Sequence, residues 1–168
     1  MPPMDPMRSA HAKLLAGDFL SLAASPSAAP SFSRRGRPVS RAEAAGIVVS
    51  YDRRPKLLRF LLDDGSGCIP CVLWLNHHFL PQSPAFSSRE NIAAAASAAD
   101  VHAGKVRLGE LVRVRGRVTG FRGVLQITVK DVLVERDPNA ETLHWLQCLK
   151  LARDCYDLPP PPAPARRA

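Results

Sequence analysis

Residues 59–76 read RFLLDDGSGCIPCVLWLN, and this pattern predicts two strands joined by a tight turn. The turn falls on residues 64–67, DGSG, because glycine reaches positive φ without the steric cost of a Cβ. If Asp64 pairs with Gly67, one face of the hairpin carries six apolar side chains in the cross-strand pairs 58–73, 60–71 and 62–69. These six are Leu58, Phe60, Leu62, Ile69, Cys71 and Leu73.

The opposite face of the same hairpin has a different character. Side chains alternate along a strand, so this face holds Arg59 and Trp74 beside smaller apolar residues. A large aromatic and an arginine outside a complete apolar layer are typical of a surface that meets a ligand. A nucleic-acid base is the ligand that this combination suits best.

The length and charge of the chain limit its class. Its 168 residues suffice for one domain with tails. The 23 Lys and Arg exceed the 15 Asp and Glu, and the net charge of +8 favours a polyanionic partner. Four cysteines in an intracellular composition make no disulfide framework. No apolar run approaches the roughly 20 residues of a membrane helix, so we expect a soluble intracellular protein without membrane association.

Residues 1–37 are predicted to be a flexible segment with a short ordered apolar stretch near 13–22, KLLAGDFLSL. That stretch suits a strand, a helical turn, or one after the other. Residues 23–37 have the Ser, Pro, Ala and Arg composition of a linker. Their lack of acidic residues is also typical of organellar transit peptides, although Asp5 and Asp18 precede them.

Further segments complete a small β-structure. Residues 39–51 form a long strand whose Gly46 lets it bend and serve both halves of a barrel. Ser87 and Glu90 match a capping box before an alanine-rich helix that ends near Gly104.

Residues 111–121, LVRVRGRVTGF, alternate more regularly than the other segments. The inward positions are Val112, Val114, Gly116, Val118 and Gly120, and the outward positions are Arg113, Arg115, Arg117, Thr119 and Phe121. A turn at Arg122 and Gly123 leads into a last strand over 124–135. A basic row that ends in an aromatic suits the phosphates and bases of a single strand.

The order of the elements predicts the fold. After the strands, Asp137 and Pro138 begin a C-terminal helix that can extend to Tyr156. Strand, hairpin, helix, hairpin and helix in succession is the plan of a five-stranded OB-fold barrel, with one helix between strands 3 and 4 and another at the C-terminus. We expect the barrel over 38–136, an interaction helix over 137–157 and a disordered Pro-rich tail over 158–168.

Four segments in this order carry a resemblance to a known family: SRRGRPVSRAEAAGIVV, LRFLLDDGSGCIPCVLWLN, VRVRGRVTGFRG and ERDPNAETLHWLQCLKLARDCY. Over about 13–156 the chain resembles the plant Stn-one family, the small OB-fold subunits of the telomere-capping CST complex. The resemblance implies protection of single-stranded telomeric DNA at chromosome ends in the nucleus. It also implies three protein partners: a Ten-one-like small OB subunit, a Ctc-one-like large subunit, and DNA polymerase alpha–primase for C-strand fill-in.

The same resemblance implies site residues. The aromatic that follows the third-strand cysteine corresponds to Trp74, and the aromatic that ends strand 4 corresponds to Phe121. Thr119 stands where animal relatives have an arginine, and the Pro-rich 158–168 stands where they have a winged-helix extension.

The predicted nucleic-acid surface has an ordinary structural alternative at every position. Trp74 can be covered by the linker or a helix, Phe121 can pack on its own sheet, and the arginines can form a solvated face. We predict nucleic-acid contacts for all seven residues: Trp74, Phe121, Arg59, Arg113, Arg115, Arg117 and Arg122.

The C-terminal helix is predicted to bind a partner. Helical spacing places Trp145, Leu149, Ala152 and Tyr156 in one stripe, which we predict docks on another OB subunit. Leu143 and Leu146 lie to one side of that stripe and are expected to close the barrel bottom. The alternative is that the whole helix plugs the barrel end.

No catalytic constellation is predicted. Cys68 and Cys71 have the spacing of a zinc or redox motif, but they lie in a strand and face opposite ways. The pair Asp63-Asp64 is expected to stabilise its turn, far along the hairpin from His77-His78. We therefore expect a protein without enzyme activity, metal or cofactor. The alternatives to a CST subunit are a general single-stranded DNA-binding OB protein of replication or an organelle, and a scaffold whose basic face is incidental.

Overall fold

The structure is a computed structural model that describes residue 7 and residues 9–25, 31–75 and 89–159. Its elements in chain order are β1 (Ala12–Lys13), α1 (Ala16–Leu20), β2 (Ala23–Ser25), β3 (Ser31–Arg34), β4 (Arg37–Pro38), β5 (Arg41–Arg53), β6 (Leu57–Asp63), β7 (Cys68–Trp74), α2 (Arg89–Lys105), β8 (Leu111–Phe121), β9 (Val124–Val134), α3 (Ala140–Leu151) and a π-helical turn (Ala152–Tyr156).

Five strands close into a barrel. Their hydrogen-bonded order is β5-β6-β7-β9-β8, and β5 pairs a second time with β8. The β7–β9 pair is parallel, and the other barrel pairs are antiparallel. With α2 between β7 and β8 and α3 after β9, the predicted OB-fold plan is confirmed.

The β6–β7 hairpin has the register that the sequence predicts. Leu58 pairs with Leu73, Phe60 with Cys71 and Leu62 with Ile69. The Asp64 N–H donates to the Gly67 carbonyl at 3.4 Å. All six apolar side chains are buried, and each is at most 3 % exposed, so the hairpin forms one wall of the core.

The bend in β5 is also confirmed. Residues 41–47 of this strand pair with β8, and residues 47–53 pair with β6. Gly46 lies at the crossing point, where a Cβ would stand 2.7 Å from the Asp63 carbonyl oxygen. A side chain at this position would force the two strands apart. A bulge between Val48 and Ser50 then shifts the inward and outward alternation of side chains in the second half of β5.

Strand β8 points its valines into the barrel as predicted. Val112, Val114 and Val118 are buried. A Cβ at Gly116 would lie 2.1 Å from the Thr128 carbonyl, so glycine permits the close approach of β9. Gly120, predicted to point inward, is exposed at the end of the barrel, beside the ring of Phe32.

The interpretation of residues 23–37 as a linker is wrong for the part that the structure describes. Strands β2, β3 and β4 form a second antiparallel sheet. Phe32 is buried in the main core, and Arg34 pairs with Asp157 at 2.7 Å and with Asp18 at 2.9 Å. One buried aromatic and one doubly paired arginine hold this small sheet against the domain.

The apolar stretch near residues 13–22 forms a strand and then a helix, which is one of the alternatives left open by its sequence. Of the predicted α2 capping box, Ser87 lies outside the described residues. The Asp137 carboxylate accepts a hydrogen bond from the Asn139 N–H at 2.8 Å, and the helix proper begins at Ala140, three residues later than predicted.

Within the described ranges, the helices are all too short or too polar to cross a membrane. Residues 160–168 of the predicted tail are outside the description.

Candidate nucleic-acid interface

The strand registers place a row of side chains across the outside of the barrel. Asp52 pairs with Arg59 between β5 and β6, and Arg59 pairs with Val72 between β6 and β7. Val72 pairs with Thr128 on β9, which in turn pairs with Arg117 on β8. The row therefore places Arg59 and Arg117 on the same face of the barrel, three strands apart and with the buried Val72 between them.

Phe121 lies at the end of this surface on the β8–β9 turn. Its side chain is 47 % exposed. The guanidinium carbon of Arg122 lies 5.2 Å from the ring centre, and that of Arg59 lies 5.7 Å away. Both distances fall within the range of cation–π attraction. The two arginines orient the ring while much of it stays in contact with solvent, as a stacking platform requires.

Trp74 is half-buried at the end of β7, where it pairs with Leu57. It lies on the same outer face as Val72, two residues along the strand. The structure thus places Trp74 on the predicted surface, but less of its ring is open than the hairpin pattern suggests.

The three arginines of β8 are not equivalent, although their alternation along the strand predicts a uniform basic row. Arg115 Nε lies 2.6 Å from Glu43, and Arg113 lies 3.3 Å from Glu43 and 2.6 Å from Glu135. Arg117 is exposed and makes no ion pair with the described residues. Arg113 and Arg115 are therefore tied to carboxylates, and Arg117 is the β8 cation best placed for a phosphate.

Glu43 is a buried carboxylate at the centre of this charge cluster, and Lys13 also pairs with it at 3.0 Å. Burial by itself raises the pKa of Glu43. Hydrogen bonds from Arg115 and Lys13 outweigh burial, so the pKa lies below its ordinary value. The hydrogen bond and charge of Glu43 raise the pKa of Arg115 in return. Glu43 and Arg115 are thus a mutually stabilised ion pair.

A cleft of about 190 Å³ opens on the outer face beside Arg59. It is lined by Ser50, Asp52, Arg59, Phe60, Leu61, Pro70, Cys71 and Gln126. Sequence reasoning missed Ser50 and Asp52, because the β5 bulge shifts the alternation that would have placed them. Gln126 could have been found, since it pairs with Thr119 across the predicted 122–123 turn.

The predicted stripe on the C-terminal helix is not one exposed surface. Tyr156 is buried, and its hydroxyl accepts a hydrogen bond from the Lys13 N–H at 3.0 Å. Trp145 is half-buried, and its Nε1–H donates to the Asp64 carbonyl at 2.9 Å. Both aromatics thus attach the helix to the barrel of their own chain. Tyr156 is too buried to present the predicted anchor, and a partner contact through the exposed part of Trp145 stays a prediction. Ala152 is half-buried as well.

The exposed apolar residues of α3 are leucines. Leu143, Leu146 and Leu149 are 51 %, 58 % and 53 % exposed. They follow one another at three-residue spacing, and adjacent members therefore share one side of the helix. Leu143 and Leu146, expected to close the barrel, do not, since Ala140, His144 and Cys148 face the barrel instead. Only Leu149 of the predicted stripe belongs to this leucine face.

The turn aspartates and the cysteines have structural surroundings. Asp64 accepts hydrogen bonds from the Ala16 N–H at 2.7 Å and the Ser66 N–H at 2.9 Å, which confirms its role in the turn. Cys68 is exposed and Cys71 is buried, so the two face opposite ways as predicted. Among the described residues no group of three or more potential ligands could hold a metal ion. His77 and His78 lie outside those residues.

Comparison with known proteins agrees with this geometry. The family model of an OB-fold nucleic acid binding domain matches residues 43–135. CST complex subunit STN1 of Arabidopsis thaliana is 49 % identical over 155 residues, which cover 89 % of this chain and 94 % of that protein. CST complex subunit STN1 of Bos taurus is 26 % identical and covers 93 % of this chain. The chain spans 45 % of that animal relative.

Solved structures show the same fold. A chain of the S. pombe Stn1-Ten1 complex superposes with a TM-score of 0.70 at 18 % identity, covering 89 % of this chain and 96 % of that one. A chain of a Replication Protein A heterotrimer bound to ssDNA gives a TM-score of 0.64 at 16 % identity, covering 86 % and 97 %. With a relative 49 % identical over nearly its whole length, this chain belongs to the STN1 family of OB-fold CST complex subunits.

Proposed function

We propose that this chain is a single-stranded DNA-binding and adapter subunit of a CST complex, which acts in the nucleus at telomeres. The observation that carries the DNA-binding part is the half-exposed ring of Phe121, with Arg59 and Arg122 close to it, on the outside of an OB barrel. An exposed ring flanked by cations meets the two needs of single-strand binding, a stacking surface and neutralisation of phosphates.

The DNA path follows the outer row from Phe121. A base stacked on Phe121 places its flanking phosphates near Arg122 and Arg117, which are both exposed. Trp74 extends the same face beyond Val72, and the exposed part of its ring adds a second aromatic surface for a base. Arg113 and Arg115 contribute less, because their charges are held by Glu43 and Glu135.

The adapter part rests on the leucine face of α3, formed by Leu143, Leu146 and Leu149. Three leucines more than half exposed at helical spacing are an apolar surface suited to a partner helix. Trp145 and Tyr156 fix α3 to the barrel, so this face is presented on a rigid support. We propose that a Ten1-type small OB subunit binds there, in line with the S. pombe Stn1-Ten1 complex.

The remaining partners follow from family membership. The second proposed partner is a large Ctc1-type subunit of the same CST complex. The third is DNA polymerase alpha–primase, which would carry out C-strand fill-in. The family is one of DNA-binding subunits and not of enzymes, and we propose that this chain acts without catalysis. Its contribution is to hold DNA and to connect proteins.

Co-expression with a Ten1-type subunit and size-exclusion chromatography test the adapter surface. Leu143→Gln, Leu146→Gln and Leu149→Gln together should abolish the one-to-one complex while the barrel stays folded. Leu133→Gln is a matched control, because Leu133 is likewise 53 % exposed but belongs to β9 and not to α3. A triple variant that still co-elutes one-to-one contradicts the proposed surface. DNA binding without any heterodimer would favour a general single-stranded DNA-binding protein.

A further inference from the structure

The outer row of side chains continues past Arg117 onto the first half of β5. Arg117 pairs directly with Arg41 across these two strands, and the partners in such a pair point to the same face of the sheet. Both arginines are exposed. Like charges directly opposite each other destabilise a sheet. The pair therefore opposes folding unless an anion neutralises it.

The neighbouring pair on the same two strands is neutralised from within the protein. Two residues along, Arg115 pairs with Glu43, and Arg115 Nε lies 2.6 Å from the Glu43 carboxylate. Within the described part of the chain, no carboxylate forms an ion pair with Arg41 or Arg117. The junction of β5 and β8 at Arg41 and Arg117, which we call the β5–β8 seam, thus keeps two uncompensated positive charges.

Arg41 is held in place and still has donors to offer. Its Nη1 donates to the Ser9 carbonyl at 3.2 Å. A guanidinium carries several N–H donors in a fixed planar arrangement, so this one contact leaves most of them for an anion. The Ser9 contact therefore orients Arg41 without using up its binding capacity.

A third cation reaches the same region from β9. The β8–β9 register shifts beside Arg115, and Lys130 is the extra residue of this bulge. Lys130 is exposed. Bulges re-aim side chains and are common beside functional sites. The bulge therefore adds a mobile ammonium group on the side of the seam formed by β9.

His11, which precedes β1, indicates the sign of the electrostatic field at this seam. Burial lowers the pKa of His11, and the charge of Arg41 lowers it further. The charges of Arg115 and Lys130 act in the same direction, although Glu43 opposes them. Positive charge therefore dominates around His11 even with the Glu43 carboxylate nearby.

We propose that Arg41 and Arg117 hold one phosphate of a bound single strand between them, with Lys130 beside it. A phosphate supplies the negative charge that the seam lacks and the oxygens that guanidinium groups bind well. Arg117 and Phe121 share the outward face of β8, so a strand stacked on Phe121 reaches the seam within a few nucleotides. The inference rests on the proposed single-strand binding and deepens it by extending the DNA path across β8 onto β5.

Fluorescence anisotropy of the full chain with a thymidine oligomer of about 16 nucleotides, the upper site size of one OB fold, tests the shared phosphate. Arg41→Gln and Arg117→Gln should each weaken binding by about 10-fold. The double variant should lose little more than either single variant, because both side chains hold the same phosphate. Arg107→Gln is the control and should bind like the wild type, since Arg107 is likewise exposed but belongs to the connection between α2 and β8.

A charge reversal separates phosphate binding from a role in the fold. Arg41→Glu places a carboxylate opposite Arg117, as Glu43 stands opposite Arg115. This variant should melt at or above the temperature of the wild type, while its DNA affinity falls further than that of Arg41→Gln. If Arg41 served only to hold the Ser9 carbonyl, both Arg41 variants would melt earlier and bind DNA like the wild type, which would overturn the proposal.

The remaining outcomes are distinct. Additive losses in the double variant overturn the shared phosphate, because they indicate two separate contacts. An Arg41→Gln variant that binds the oligomer normally but no longer assembles with a Ten1-type subunit also overturns it and assigns the seam to an acidic protein surface. In both cases the proposed single-strand binding stands. Failure of the wild type to bind the oligomer contradicts the proposed DNA-binding function itself and removes the phosphate site with it.

Discussion

Arg115 Nε lies 2.6 Å from Glu43 Oε2, across the β5–β8 pair that closes the barrel. This ion pair holds Arg115 to the protein, whereas Arg117, two residues along the same strand face, is exposed to solvent. The difference between the two arginines comes from the neighbouring strand and not from β8 itself. It leads directly to a test of which cation contacts DNA.

Arg117→Gln should reduce the salt dependence of single-strand binding by about 0.7 in the slope of log Kobs against log salt, as expected for one lost phosphate contact. Arg115→Gln should leave the slope near that of the wild type, because Glu43 already neutralises this arginine. Binding titrations at several salt concentrations measure both slopes. Equal losses for the two variants would show that the ion pair opens when DNA binds.

Glu43→Gln should destabilise the fold by about 3 kcal/mol, because removing one partner of a buried pair leaves the other charges uncompensated. This figure is the lower end of the usual range, since the Arg115 side chain is 49 % exposed and can be hydrated. Urea denaturation at pH 7 measures the change. A loss below about 0.5 kcal/mol would show that the cluster acts as an ordinary surface pair.

The same carboxylate predicts an acid-dependent loss of stability. Its folded pKa lies below the ordinary value of 4.5, so its contribution is fully present above pH 4.5 and is lost as pH falls through the folded pKa. Unfolding free energies measured between pH 6 and pH 3 should therefore fall less steeply for Glu43→Gln than for the wild type. Parallel curves would contradict the lowered pKa.

His144 predicts a second pH effect, near neutrality. Burial lowers its pKa from the ordinary 6.5, and the charges of Lys13 and Arg113 lower it further, although Glu43 acts the other way. The unfolded chain then binds a proton that the folded chain does not, so stability falls as pH drops below about 6.5. His144→Gln should flatten this decline between pH 7 and pH 5. Identical stability curves for the wild type and His144→Gln would contradict the lowered pKa of His144.

The barrel was predictable from sequence because its signals are local. The DGSG turn sets the β6–β7 register, and Gly46 marks the bend in β5. The sheet of β2, β3 and β4 was not predictable, because it depends on contacts of Phe32 and Arg34 with distant parts of the chain. Its local composition is that of a linker.

The candidate surfaces were predictable only in part for the same reason. Alternation places the β8 arginines outside, but it does not reveal Glu43 on the adjacent strand. Helical spacing groups the apolar residues of α3, but it does not tell which group faces the barrel. The aromatics have polar atoms that hydrogen-bond within the chain, and the leucines are left outside.

Tyr156→Phe tests this correction of the α3 surface. The variant removes the hydroxyl that accepts the Lys13 N–H, which should cost about 1–3 kcal/mol of unfolding free energy, the usual penalty for a buried polar group without its partner. Assembly with a Ten1-type subunit should be unchanged once the variant is folded. A folded Tyr156→Phe variant that no longer assembles would restore Tyr156 to the partner surface.

Phe121→Ala provides the most direct measurement of the central claim that the outer face of this barrel binds single-stranded DNA. Phe121 is preferable to Trp74 because the half-buried Trp74 also contributes to packing. Val124→Ala is the control, since Val124 pairs directly with Phe121 and is 53 % exposed. In fluorescence anisotropy with a single-stranded oligonucleotide, Phe121→Ala should weaken binding by about 1–3 kcal/mol, the usual value of one stacked base, and Val124→Ala should not. Unchanged affinity of a folded Phe121→Ala variant would contradict the account.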